Sequence, residues 1–99
     1  MPDTFTVERF LPHVGQVFSA VVSESHELRM VLSEIAALPS DASPLRRRQP
    51  FALVFHAAPD AYLPQQTYQV HGPGMDPFDC FLVPIGPDAN GMRFEAIYS

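Results

Sequence analysis

The amino-acid sequence predicts an all-β fold, a small antiparallel barrel or sandwich of about six strands with a short N-terminal helix. Apolar segments recur at intervals of about 8–12 residues and are separated by turn-forming residues, a spacing typical of small sandwiches and barrels. Nearly all of the 11 prolines stand at segment ends, which suits strands and turns better than helices. Because the chain has 99 residues, we expect one globular domain over residues 1–99.

The chain begins with the pattern of a helix of one or two turns. Thr6 is the expected N-cap, and Glu8 follows in the first turn, where a negative charge suits the helix dipole. Pro12 cannot continue a helix interior, so the helix ends before it. We expect the helix to plug one end of the β structure with three apolar side chains, Phe5, Phe10 and Leu11.

Residues 28–38 fit two different patterns. Five apolar residues in this stretch share one face of a helix, and periodicity alone slightly favours that structure. Leu28, Met30 and Leu32 also alternate as in a strand. In that case a bulge near Ser33 and Glu34 restores the register for the apolar residues that follow.

The remaining strands have clearer signals. Alternating apolar residues and turn chemistry predict strands over residues 17–22, 51–56, 67–70, 78–85 and 92–98. Asn90 and Gly91 form a strong hairpin signal before the last strand. We expect eight apolar side chains to be mostly buried in the core: Phe51, Leu53, Phe55, Tyr68, Phe81, Val83, Phe94 and Ile97.

Four stretches carry a recognisable pattern: residues 50–55, 63–68, 81–87 (FLVPIGP) and 91–96 (GMRFEA). Together they resemble a family of small bacterial domains of unknown function. The resemblance implies an extended segment over residues 28–38, so we predict a strand there. It implies no catalytic residues, and it implies neighbours that are phage-tail-collar-like proteins. His56, Phe94 and Ser99 stand where that family commonly has arginine, tyrosine and asparagine.

Charge and composition argue against several function classes. The net charge is -5 and all six positive charges are arginine, so the sequence lacks the basic surface and the lysine of many phosphate-binding proteins. Cys80 is the only cysteine, so no internal disulfide forms. No secretion signal and no membrane-spanning run is visible, which predicts a cytoplasmic protein without membrane contact and leaves open export without a cleaved signal.

Candidate sites all have ordinary explanations. Residues 88–91 resemble part of a calcium loop but lack the closing glutamate, and turn chemistry explains them. The four histidines have no metal-ligand spacing, so we expect no metal and no cofactor, although the sequence leaves open that they converge in space. Cys80 lies in an apolar strand, as expected for an inert buried thiol. Three consecutive arginines, Arg46, Arg47 and Arg48, lie in a predicted solvated loop and are candidate interaction residues for phosphate or an acidic partner, but they are too few to predict nucleic-acid binding.

No residue set supports catalysis, so we expect a structural or protein-interaction component of an assembly, with a phage-tail-like assembly implied by the resemblance. The last strand is the expected docking edge, where Arg93 and Glu95 would restrain promiscuous pairing and a proline at Ala96 would weaken assembly. The partner is another protein or a second copy of the chain. The alternative is a small-ligand module with a pocket at one end of the barrel, lined by Phe55, Tyr68 and Phe81.

Overall fold

Six antiparallel strands close into a barrel in this computed structural model, which describes residues 7–37 and 50–98. The strands are β1 (Val17–Ser23), β2 (His26–Ala37), β3 (Phe51–Ala57), β4 (Gln66–His71), β5 (Phe78–Asp88) and β6 (Gly91–Tyr98). They follow the order β1-β2-β3-β6-β5-β4 around the barrel, and β4 returns to β1 through the pairs Ser19–His71 and Ala20–Val70. The predicted all-β barrel with a short N-terminal helix is confirmed.

The N-terminal helix closes one end of the barrel with the aromatic ring of Phe10. Helix α1 (Val7–Phe10) runs into a 3-10 turn over Leu11–His13 that contains the predicted helix-ending proline. Phe10 is fully buried, and its ring centroid lies 5.9 Å from that of Phe51 and 5.6 Å from that of Phe78. Leu11, predicted to share this role, is 54% exposed because the 3-10 turn carries it outward. Phe5 and Thr6 lie outside the described residues.

Strand β2 contains the predicted bulge. Its register with β3 shifts between Leu32, which pairs with Phe55, and Glu34, which pairs with Val54. Ser33 is therefore the extra residue, and the strand prediction for this segment is confirmed over residues 28–37. Helical spacing of its apolar residues is overridden because β2 forms ladders with β1 on one side and β3 on the other.

The core confirms most of the predicted buried side chains and corrects three of them. Phe51, Leu53, Phe55, Tyr68 and Phe94 are buried as expected. Phe81 is 49% exposed and Ile97 is 59% exposed, and Val83 is only partly buried. The reason is the alternation of the strands: β5 directs Phe78, Cys80 and Leu82 inward, and β6 directs Phe94 and Ala96 inward.

Strand β6 is an internal strand, so the expected docking edge is wrong. It pairs with β3 along its whole length, from Met92 opposite Ala57 to Tyr98 opposite Phe51, and with β5 on its other side. Ala96 lies opposite Leu53 within this ladder. A proline there would remove a hydrogen-bonding group of the barrel itself and would not report on assembly.

The predicted hairpin joins β5 to β6. Asp88 pairs with Gly91, and Ala89 and Asn90 form the two-residue loop between them. Gly91 has a φ of +131°, and a Cβ at this position would collide with the carbonyl oxygen of Ala57. Glycine is thus required both by the backbone angle and by the close approach of β3.

Within the described residues, no helix is long and apolar enough to cross a membrane.

Candidate functional site

A chain of hydrogen bonds on the outer wall of the barrel joins strands β2, β3 and β5. His56 stands on β3, with its side chain 15% exposed. Its Nδ1 lies 2.6 Å from Ser33 Oγ on β2, and its Nε2 lies 2.9 Å from Asp88 Oδ2 at the end of β5. Both ring nitrogens are thus engaged, which fixes the orientation of the imidazole.

The bulge in β2 explains how Ser33 reaches His56. An extra residue in one strand re-aims the side chain at the bulge toward a neighbouring strand. Here Ser33 Oγ lies 3.0 Å from the carbonyl oxygen of Val54, within hydrogen-bonding distance, as well as 2.6 Å from the His56 ring. The serine therefore fastens the irregular part of β2 to the regular ladder of β3.

Asp88 is held by two hydrogen bonds and a nearby cation. Its Oδ2 contacts His56, its Oδ1 accepts a 2.8 Å hydrogen bond from the backbone N–H of Asn90, and Arg93 Nε lies 3.9 Å from Oδ2. The hydrogen bond from His56, followed by that from Asn90, lowers the pKa of Asp88 below its ordinary value. Asp88 is thus a carboxylate held in place as a hydrogen-bond acceptor at the base of the β5–β6 hairpin.

Arg93 donates hydrogen bonds to the irregular part of β5. Its Nε donates to the carbonyl oxygen of Gly86 at 3.1 Å, and one terminal nitrogen donates to that of Ile85 at 3.3 Å. The β5–β6 register shifts between Pro84 and Gly86, so the arginine satisfies carbonyls around this shift. Arg93 therefore supports the hairpin in addition to approaching Asp88.

Two placements of the protons are compatible with the distances in the Ser33–His56–Asp88 network. With a neutral ring whose Nε2–H donates to Asp88, Nδ1 accepts the single hydroxyl proton of Ser33. With a doubly protonated ring, Nδ1–H donates to Ser33 Oγ, and the hydroxyl is then free to donate to the Val54 carbonyl. Only the second arrangement makes every short contact a hydrogen bond at once.

The same three residue types form the nucleophilic sites of many hydrolases, where a base accepts the serine proton and an acid orients the base. Here the hydroxyl also contacts a strand carbonyl, and Ser33 is not among the described residues that line the neighbouring groove. A molecule in that groove would meet His56 but not the hydroxyl. The network is best explained as a brace for the bulge and the hairpin, and the absence of enzymatic activity stays a prediction.

A shallow groove of about 290 Å³ borders His56 on the outside of the barrel. Most of its lining residues are apolar, and Arg29 and Asn90 supply polar groups. The groove lies between the β1–β2 ladder and the start of the loop that follows β3. Its lining comprises Val17, Arg29, Met30, Val31, His56, Ala57, Ala58 and Asn90.

The pocket expected from the sequence does not form. Phe55 and Tyr68 are buried in the core, and the Tyr68 hydroxyl donates to the Pro64 carbonyl at 2.7 Å. Phe81 points to the outside, because inward positions of β5 are occupied by its neighbours Cys80 and Leu82. The three aromatic residues therefore do not line a common cavity.

The outer surface of β5 and β6 carries exposed apolar side chains. The β5–β6 ladder ends at the pair Val83–Glu95, and Phe81 and Ile97 each lie two residues beyond this pair on their own strands. We call Phe81, Val83 and Ile97 the β5–β6 face. The acidic residues Asp79 and Glu95 lie on the same outer surface, two positions along β5 from Phe81 and two along β6 from Ile97.

The other sequence-predicted residues are placed as follows. Arg93 and Glu95 lie on the internal strand β6, whereas Arg46, Arg47 and Arg48 lie outside the described residues. Across residues 7–37 and 50–98, no three or more histidine, cysteine, aspartate or glutamate side chains come together in a metal-binding group. Cys80 is buried as expected, and burial raises the pKa of its thiol to about 11, which keeps it protonated and unreactive at neutral pH.

Sequence reasoning weighed His56 and Asp88 separately, and it identified Ser33 only as a bulge position and not as a partner of His56. Ser33 and His56 are 23 positions apart, and His56 and Asp88 are 32 apart, so their meeting depends on strand order. One signal was available: a bulge expected near Ser33 marks a residue whose side chain leaves the regular alternation. The bulge therefore located one member of the network but not its partners.

The comparisons with known proteins identify a family, but they assign no function to it. No curated protein and no solved structure matches the chain. A family model does match, and its match extends over residues 5–98, which includes α1 and all six strands. The chain therefore belongs to the family described as Domain of unknown function (DUF6916).

Proposed function

We propose that this domain is a protein-interaction component of a multi-protein assembly and that it docks through the β5–β6 face. The observation that supports the proposal is the pair Phe81 and Ile97, which are 49% and 59% exposed on adjacent strands. Large apolar side chains that stand together on a surface mark interaction sites more often than scattered ones do. A phage-tail-like assembly and a cytoplasmic location belong to this proposal as predictions.

Docking through a face replaces docking through an edge. The six described strands form a closed ring in which each strand has a neighbour on both sides, so this ring offers β-strand addition no edge strand. Side chains on the outer wall must then provide the contact. Phe81 is the expected anchor, because aromatic residues dominate the binding energy of protein interfaces.

The acidic surroundings of the face favour a partner of opposite charge. Asp79 and Glu95 flank the apolar residues, and the chain as a whole carries a net charge of -5. In a two-fold dimer built on this face, each acid would approach the acids of the second copy. We therefore expect a different protein that presents an apolar side chain bordered by lysine or arginine.

Site-specific photo-crosslinking in the native host tests the proposal. A photoreactive phenylalanine analogue replaces Phe81 in one variant and Val22 in a control variant. Val22 is 41% exposed and belongs to β1, which lies across the barrel from β6. We expect position 81 to capture a specific protein through a segment that contains basic and apolar residues, and position 22 not to capture it.

Two results contradict the proposal. Capture of the same protein from both positions places the contact elsewhere or shows it to be unspecific. Capture of a second copy of this chain from position 81, or of no protein, contradicts the proposal that a different protein docks on this face. Thermal melts of both variants confirm beforehand that each folds.

A further inference from the structure

We propose that the groove beside His56 binds a small organic carboxylate with a short apolar chain. This inference is independent of the β5–β6 face, because the groove is built by β1, β2 and β3 with Asn90 of the hairpin. The ligand class follows from three properties of the groove: one uncompensated cation, an apolar wall and a small volume.

Arg29 supplies the cation. It lies on β2 opposite Ser19, its side chain is exposed, and no carboxylate of the described residues lies within 4.0 Å of its guanidinium group. In a protein with a net charge of -5, an arginine that forms no ion pair with a described residue can attract an anion to the groove. The planar guanidinium matches a carboxylate with two parallel hydrogen bonds.

The apolar wall selects for a hydrocarbon part in the ligand. Val17 pairs with Val31 across β1 and β2, and Val17 is 52% exposed. Ala57, the last residue of β3, and Ala58, which follows it, add further apolar surface to the groove. A ligand that covers Val17 gains from removing its apolar surface from water, which a bare inorganic anion cannot do.

The fixed imidazole directs the carboxylate to Arg29. Both nitrogens of His56 are occupied, by Ser33 and by Asp88, so the ring meets the groove without a free polar atom. Asn90 uses its backbone N–H for Asp88, and its side-chain amide has no partner among the described residues. Arg29 and the Asn90 amide are thus the polar groups that the groove offers a ligand.

Volume sets the size of the ligand. Pockets for drug-sized molecules range from about 300 to 1,000 Å³, and this groove has about 290 Å³ and is open to solvent. It therefore suits an acid of a few carbons and not a nucleotide or a larger cofactor. An open groove with one strong anchor corresponds to affinities on the order of millimolar.

Amide NMR titration of the intact protein tests the proposal with hexanoate as the probe. Hexan-1-ol has the same chain without the charge, and inorganic phosphate has charge without the chain. We expect hexanoate to shift the amides of Val17, Val31, Ala57 and Ala58 in a saturable manner. Hexan-1-ol and phosphate should each bind at least about tenfold more weakly, because each lacks one of the two contacts.

Variants separate the contribution of each wall. Arg29→Gln should weaken hexanoate binding at least about tenfold, and Arg29→Lys should retain most of it because the charge remains. Val17→Ser should also weaken binding, whereas the same change at Val22, a somewhat less exposed valine on the same strand, should not. Unchanged spectra away from the groove confirm that each variant is folded.

The proposal is overturned by any of the following outcomes. Hexanoate shifts that do not saturate, or that lie outside the groove, show that no site exists. Equal binding by hexan-1-ol shows an apolar contact without recognition of the acid. Equal binding by phosphate shows that the apolar wall does not contribute. Unchanged hexanoate binding by Arg29→Gln shows that the arginine does not contribute.

Discussion

His56 Nε2 lies 2.9 Å from Asp88 Oδ2, and this contact ties the middle of the barrel wall to the hairpin between β5 and β6. Through His56 Nδ1 the connection extends to Ser33 in the bulge of β2. Each residue stands where regular pairing is interrupted or ends, at the bulge, near the end of β3 and at the hairpin. The network thus stabilises the places where the strand ladders alone are weakest.

Replacing Asp88 should alter the acid stability of the barrel. The pKa of Asp88 is lower in the folded protein than its ordinary value of 3.8, so ionised Asp88 stabilises the fold above that value. This stabilisation is lost as the pH falls through the lowered, folded-state pKa. We expect urea melts from neutral pH to about pH 2 to show a smaller acid-induced loss of stability for Asp88→Asn than for the natural protein.

The matched control for this measurement is Asp76→Asn. Asp76 is an exposed acid in the loop before β5 and outside the network. Its replacement should leave the pH profile of the natural protein unchanged. A profile for Asp88→Asn that coincides with those of the control and the natural protein would show that the contact with His56 does not persist in solution.

Removing the hydroxyl of Ser33 should destabilise the fold. Ser33→Ala deletes the contacts to the Val54 carbonyl and to the half-buried His56 ring, and it leaves a polar ring atom without its partner. We expect a loss of about 1–3 kcal/mol in the free energy of unfolding. Ser19→Ala, a half-buried serine on β1, should change it by less than about 0.5 kcal/mol, and equal effects in denaturant melts would argue against the network.

Two phenylalanines should respond very differently to truncation. Phe55 is fully buried and packs 5.5 Å from the ring of Phe18, so Phe55→Ala should cost about 3–5 kcal/mol. Phe81 is 49% exposed, and Phe81→Ala should cost less than about 1 kcal/mol. Comparable losses for both variants in denaturant melts would mean that β5 directs Phe81 inward and that its alternation is reversed.

Gly91→Ala should distort the junction of the hairpin with β3. The backbone angle there is unfavourable for alanine, and the added methyl group would meet the Ala57 carbonyl oxygen. We expect a loss larger than the roughly 1–2 kcal/mol of an ordinary left-handed glycine replacement. Gly74→Ala is the control, since its φ is +67° and no atom lies within 4 Å of the new methyl group. Equal destabilisation of the two variants in thermal melts would refute the close approach.

Local patterns in the sequence predict the strands and the bulge, but not the ring that they form. Alternation and turn residues locate β3, β4 and β6 within a residue or two of their observed bounds. Closure depends on β1 meeting β4, a contact between residues about fifty positions apart that leaves no local mark. The expectation of a free edge at β6 failed for a similar reason, because β6 pairs with β3, which is distant in the chain, as well as with its neighbour β5.

The inward and outward faces of β5 and β6 were also beyond local reasoning. Both strands carry apolar residues on both faces, with Phe81 and Leu82 adjacent in β5, so alternation does not identify the buried set. A shift by one residue exchanges the two faces. Pairing with β4, where Tyr68 lies opposite Cys80, determines which set is inside.

The docking proposal is tested most directly by the affinity of Phe81→Ser for the protein that photo-crosslinking captures. Loss of a central aromatic anchor costs about 2 kcal/mol or more, so we predict binding at least roughly thirtyfold weaker than that of the natural protein. Val22→Ser, on the opposite wall of the barrel, should bind like the natural protein. Unchanged affinity of a correctly folded Phe81→Ser variant would contradict docking through the β5–β6 face.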